Sequence, residues 1–178
     1  KKITQAYHLI ALRNFLKYLA KRDVKTLTAD KIELGKAGDR QIDFLENDEV
    51  ERLMGSANGN SIKALRDRAI LELLFSTGLR VSELCSLNRN SVNIKRGEFS
   101  VRGKGDKIRV VFLSESAQKA VANYLDKRKD IDESLFSRAI SDKRLATSKN
   151  LRLTPRSIQR MVKFYAAKAG IVKNIHPH

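Results

Sequence analysis

A helix that is apolar on nearly every side must be covered on nearly every side, and residues 62–77 describe one. Ile62, Leu65, Ala69 and Leu73 fall at three- and four-residue steps on one stripe, which Ile70, Leu74 and Phe75 widen until little polar face is left. The segment therefore marks the centre of a core. Ser61 is placed to cap its start, and Gly78 to end it in a left-handed turn. At 178 residues and 42% hydrophobic composition the chain can wrap such a helix, which excludes wholesale disorder despite 31% charged residues. Neither Leu27–Leu34 nor Ala69–Phe75 approaches the roughly 18 apolar residues of a membrane span.

Around this centre the spacing predicts further elements. Leu9, Leu12, Leu16 and Leu19 define a helix over about 4–20 whose other face carries Arg13, Lys17 and Lys21. A short helix can follow Thr28, and residues 35–40, with two glycines, two basic residues and no apolar anchor, read as a linker. Residues 1–34 are too few for an independent core, so they are expected to be the end of a larger helical domain. Asn47, Asp48 and Glu49 open a helix that buries Val50, Leu53, Met54 and Ala57. From about Val92 the period changes to 2. Phe99 and Val101 alternate with Glu98, Ser100 and Arg102, and Ile108, Val110 and Phe112 alternate with Arg109 and Val111 in a second strand. Gly103-Lys104-Gly105-Asp106 joins the two as a hairpin turn with a lysine at its tip. A helix after Ser114 buries Ala117, Val121, Tyr124 and Leu125, and Leu135-Phe136 dips into the core from an irregular stretch. Thr154-Pro155 starts a last helix, with Ile158, Met161, Val162, Tyr165 and Ala169 inside and Gly170 as its stop. The fold class is mixed α/β: mainly helical, with a small antiparallel sheet.

Charge narrows the function. Thirty-six Lys and Arg oppose 20 Asp and Glu, a net charge of +16. Such an excess points to a polyanion, with nucleic acid ahead of an anionic membrane surface. One cysteine, Cys85, cannot form an intramolecular disulfide and suits a reducing, intracellular setting, and three histidines beside it make no zinc spacing. No metal and no cofactor is expected. The chain starts at Lys1 rather than Met and shows no signal peptide, which reads as an excised piece of a longer protein.

The segment with the sharpest chemistry is Ser76-Thr77-Gly78-Leu79-Arg80-Val81-Ser82-Glu83-Leu84. One helix ends at Gly78 and another starts near Ser82, so Arg80 is held in a tight connection with Glu83 three residues on. That arrangement is an anion clamp suited to two-point contact with phosphate oxygens. A purely structural Arg80–Glu83 ion pair is the competing reading. On the final helix Arg156, Arg160 and Lys163 lie opposite the apolar stripe, with Arg152 just before it.

Thr-Gly-Leu-Arg-x-Ser-Glu-Leu, followed about twenty residues later by Val101-Arg102-Gly103-Lys104-Gly105-Asp106-Lys107, resembles the tyrosine recombinases or phage-type integrases, especially their Xer branch. The resemblance runs from Asp43 to His178, and the first helix resembles the last long helix of that family's core-binding domain. It divides the chain into the end of a helical DNA core-binding domain (1–34), a linker (35–42) and a catalytic domain (43–178). By resemblance, Arg80 binds the scissile phosphate and Glu83 supports it. Lys104 matches the lysine that enters the minor groove and protonates the leaving 5′-oxygen; Lys107 is its weaker competitor. His178 matches the histidine that opens the motif His-x-x-Arg, with His176 as the alternative. The resemblance also makes Thr154, Arg156 and Gln159 DNA contacts, beside Arg152, Arg160, Lys163 and, from the first helix, Arg13 and Lys17.

The implied partners are double-stranded DNA and further copies of the chain, a tetramer on DNA. The implied reaction is metal-free strand cutting and rejoining through a 3′-phosphotyrosyl intermediate, in a cytoplasmic, nucleoid-associated protein. Tyr7, Tyr18, Tyr124 and Tyr165 do not hold the family position of the nucleophile, so this stretch is expected to be inactive alone, cut within its active-site motif. A non-catalytic DNA-binding relative and an RNA-binding structural protein are the alternatives.

Overall fold

The computed structural model describes residues 2–35, 43–138 and 151–177, and for Lys104 the backbone only. Contacts divide the chain into two compact units, 1–42 and 43–178. The first holds α1 (Lys2–Ala20) and a short 3-10 turn, Ala29–Lys31. Leu16 is buried there, but Leu12 is 43% exposed, so the leucine stripe is only partly covered within this unit. Arg13 is half-buried and lies 3.6 Å from Asp30, so it is less free than the predicted basic face required. Lys17 is exposed, as that face predicts.

The second unit contains, among its described residues, α2 (Asn47–Ser56), α3 (Ile62–Thr77), α4 (Val81–Ser86), β1 (Glu98–Arg102), β2 (Ile108–Phe112), α5 (Glu115–Lys127) and α6 (Pro155–Lys168). It is mainly helical with a two-stranded antiparallel sheet, as the periodicities predict. Helix α3 is the central element. Ala69, Ile70 and Leu73 are fully buried, and α5 packs along it. Phe75 departs from the predicted stripe at 66% exposure: it lies one turn beyond buried Leu71, where the cover of the helix ends.

Buried charges on α3 join it to its neighbours. Asp67 accepts from Arg66 Nε at 2.9 Å and from the Tyr165 hydroxyl of α6 at 3.2 Å. Glu72 accepts from Arg68 at 2.9 Å and from Ser116 of α5 at 2.9 Å. Each carboxylate is paired, which is what makes its burial tolerable.

The sheet pairs Glu98 with Phe112 and Arg102 with Ile108. Phe99 and Val101 face the core as predicted. In the second strand the alternation resolves with Arg109 and Val111 on the inner face. Val111 is buried and Arg109 points inward, whereas Ile108, Val110 and Phe112 are 65%, 54% and 66% exposed. A strand has only two faces, and a change of one residue exchanges them. Here the inner face holds Val111 in the core and brings Arg109 onto the Glu83 carboxylate.

Candidate phosphate-binding site

The site is built where α3 stops. Gly78 takes a left-handed conformation (φ 59°, ψ 27°) and its N–H donates to the Leu74 carbonyl at 3.0 Å. Leu79 and Val81, 1% and 2% exposed, anchor the backbone on either side of Arg80. Arg80 is the extended residue that precedes α4, so two buried neighbours fix where its side chain begins. The outcome is an Arg80 side chain that is 57% exposed and springs from a backbone flanked by two buried residues.

Glu83 holds that arginine in place. Its carboxylate is 7% exposed and accepts from the Arg80 backbone N–H at 2.8 Å and from Arg80 Nη1 at 3.0 Å. It also receives a two-point grip from Arg109, Nη1 at 3.0 Å and Nη2 at 2.8 Å. The Arg109 hydrogen bonds are the largest cause of a Glu83 carboxyl held down to about 2, helped by the Arg80 amide and guanidinium against the opposing cost of burial. Two cations thus meet one carboxylate, leaving a net positive charge facing solvent. The arrangement can bind an anion while its own acidic residue stays ionised.

Lys104 sits in a 3-10 turn, Lys104–Asp106, between Gly103 and Gly105. Gly105 (φ 74°) and Asp106 (φ 64°) are both left-handed, and Arg102 braces Asp106 at 2.8 Å across the turn. Lys107 follows as an exposed residue. At the other end of the unit Ile175 is buried and His176 exposed, while the predicted His178 lies outside the described residues.

Along α6, Arg156, Gln159, Arg160 and Lys163 are all exposed, opposite buried Ile158, Val162 and Tyr165. Arg156, Arg160 and Lys163 have no acidic partner among the described residues. Arg152 departs from the prediction that grouped it with them. Its Nη1 donates to the Cys85 and Leu87 carbonyls, each at 2.9 Å, and its Nη2 to the Asn88 side chain. It therefore fastens the approach to α6 onto the end of α4. Carbonyls left at a helix end need donors, and Arg152 supplies them.

Thr154 caps α6, its hydroxyl accepting from the Ser157 N–H at 3.3 Å. Thr154→Ala is expected to lower stability by about 1 kcal/mol, read as a shift of the urea midpoint. A loss of DNA affinity with an unchanged midpoint would instead make the hydroxyl a DNA contact.

Arg109 and Gly103 are the residues that sequence reasoning missed. The available signal was an arginine inside an otherwise apolar strand, but alternation alone fits either face. Only the position of Glu83 decides between them.

The "Phage integrase family" model matches residues 43–178. The chain belongs to this family. Its relatives include Xer tyrosine recombinases: it is 34% identical to the tyrosine recombinase XerC of Syntrophus aciditrophicus, over all of this chain and 58% of that protein. It is 33% identical to the tyrosine recombinase XerD of Oceanobacillus iheyensis, over 98% of this chain and 58% of that one. The chain therefore spans little more than half the length of these curated relatives. Among solved structures, the XerA recombinase is 30% identical with a TM-score of 0.65, covering 100% of this chain and 59% of XerA. The XerH recombinase in its post-cleavage complex on DNA has a TM-score of 0.73 at 21% identity, covering 99% of this chain and 53% of XerH, and shares the fold.

Proposed function

We propose that this chain carries the phosphate-gripping part of a site-specific DNA recombinase that cuts and rejoins strands through a 3′-phosphotyrosyl intermediate. The observation that carries the reading is Arg80, exposed on a buried root and held by a carboxylate that stays ionised. In this reading Arg80 binds the scissile phosphate and stabilises the charge that develops when a tyrosine hydroxyl attacks it. Lys104, on its glycine turn, protonates the departing 5′-oxygen. His178 completes the phosphate contacts. The 5′-hydroxyl of another strand then reverses the step, and the covalent link conserves the phosphodiester energy.

None of the four tyrosines suits the attacking role. Tyr124 and Tyr165 are 1% and 6% exposed. Burial, then the Asp67 charge, push the Tyr165 hydroxyl up to about 12. Tyr7 and Tyr18 lie on α1, in the other unit. None of the four is therefore proposed as the nucleophile.

Duplex DNA is the proposed partner, gripped through its backbone by Arg156, Arg160 and Lys163 with Gln159 beside them, and from the first unit by Lys17 with a smaller share from Arg13. In the complete protein a tetramer on DNA and a cytoplasmic, nucleoid-associated location accompany this role. Residues 1–34 act as the end of the core-binding domain and 43–178 as the catalytic domain.

Fluorescence anisotropy on the 178-residue chain tests the reading. Duplex DNA is expected to bind more tightly than duplex RNA of the same length, with log K falling by about 0.9 per log unit of salt for each phosphate neutralised. The chain is expected to form no DNA adduct that survives denaturation. A preference for RNA would favour the structural RNA-binding alternative, and a covalent adduct would place the nucleophile among these residues.

A further inference from the structure

Three separate segments meet at the Glu83 carboxylate. The first is the α3–α4 junction, which contributes the Arg80 amide and guanidinium. The second is β2, which contributes Arg109. The third is the near arm of the hairpin, where Gly103 stands directly before Lys104. A Cβ on Gly103 would lie 3.0 Å from Arg109 Nη1 and 3.5 Å from Glu83 Oε1, so the bare glycine backbone rests against the ion pair. The same glycine donates its N–H to the Lys107 carbonyl at 2.8 Å and closes the turn. The root of the Lys104 turn is thus packed on the pair that also orients Arg80.

We propose that Arg109 is a positioning residue, which grips Glu83 at two points and so fixes the hairpin bearing Lys104 against the junction bearing Arg80. The two-point geometry is what matters. A guanidinium fork spans both carboxylate oxygens in one plane, whereas an ammonium is a point charge that leaves rotation free. The facing of β2 also gains its purpose, because Arg109 reaches Glu83 from the inner face of the sheet. Without the grip, the hairpin keeps its turn but loses its fixed distance from Arg80, and a proton donor displaced by about 1 Å loses much of its effect. Arg109 acts through Glu83 and Gly103, with no contact to DNA required.

This inference rests on the acid role proposed for Lys104, and the experiment separates the two. Single-turnover cleavage is measured in the complete gene product on DNA with the normal 5′-bridging oxygen and with sulfur in its place, a leaving group that needs no proton. Lys104→Ala is expected to cost about 100-fold on oxygen and to recover on sulfur. Arg109→Gln is expected to cost about tenfold on oxygen and to recover to within about threefold on sulfur, with Arg109→Lys between it and the parent. The double variant Lys104→Ala/Arg109→Gln is expected to be no slower than Lys104→Ala alone, because a misplaced donor cannot be lost twice.

A purely structural role would slow both substrates equally and multiply with Lys104→Ala, and either result overturns the proposal. If Lys104→Ala itself fails to recover on sulfur, the acid role falls, and multiplication in the double variant then decides against Arg109 by itself. If Arg109→Gln does not fold, Gly103→Ala replaces it: both charges remain, but the added carbon presses on Arg109. The same selective loss on oxygen is expected, and equal loss on both substrates overturns the proposal.

Discussion

Arg80→Ala in the complete gene product is expected to lower the strand-cleavage rate by about a thousandfold while DNA affinity changes by less than about threefold. The size follows from the position of the guanidinium, which is more than half exposed and held by Glu83 at 3.0 Å. Removing one preorganised cation from a developing oxyanion costs about 10²–10³-fold in rate, and a phosphate with two charged oxygens stands at the upper end. Affinity is spread over many backbone contacts, so losing one arginine of a chain with net charge +16 has little weight there. The two readouts must therefore separate. Single-turnover cleavage and anisotropy on the same oligonucleotide give both, and unchanged cleavage would remove Arg80 from the site. Arg80→Lys is expected to recover little, because an ammonium cannot span two phosphate oxygens.

Glu83→Gln should reduce both stability and cleavage, with a pH signature that identifies the cause. The folded protein holds the Glu83 carboxyl near 2, against an ordinary 4.5, so folding favours its ionised form. The stabilisation is fully present above about pH 4.5 and is lost as pH falls from there toward 2. A carboxyl displaced that far carries at most about 3 kcal/mol, and solvent reaching the two guanidiniums brings the expected figure to about 2 kcal/mol. Denaturant titrations of parent and variant should differ by that amount at pH 7 and converge only below about pH 2. A difference that stays constant with pH would mean that the amide is harmful for its shape rather than its lost charge. Cleavage by Glu83→Gln is expected to fall about 100-fold at pH 7, since Arg80 loses its brace and the hairpin its anchor together.

Much of this was legible in one dimension because the signals were local. Thr154-Pro155 marked the start of α6 through a hydroxyl and a missing N–H, both effects confined to one helical turn. Gly78 marked the end of α3 for an equally local reason, since a left-handed residue favours glycine. Arg80 and Glu83 could be paired in advance because residues three apart across a helix start face one another. Leu135 and Phe136, within a polar stretch, declared their burial by type alone.

The departures share a different origin. Arg152 looked like one more cation before a basic helix, but its carbonyl partners lie 65 and 67 residues away in sequence. Phe75 extended an apolar stripe that ran past the end of its cover. Arg13 fell on the polar side of α1 yet found Asp30 in the following turn.

Strand β2 shows the division most clearly. Its sequence determined that Ile108–Phe112 would be extended, paired with Glu98–Arg102 and closed by a glycine turn, because alternation and turn chemistry act over a few residues. It could not determine which side of the strand would face inward, because both sides carry apolar residues and periodicity is blind to a partner 26 residues distant. Only the tertiary structure supplied Glu83, whose buried charge needed two donors in one plane. With Arg109 inward, the hydrogen bonding of a buried carboxylate that Arg80 satisfies only in part is completed, while Ile108, Val110 and Phe112 stay outside, where single exposed apolar side chains are tolerated.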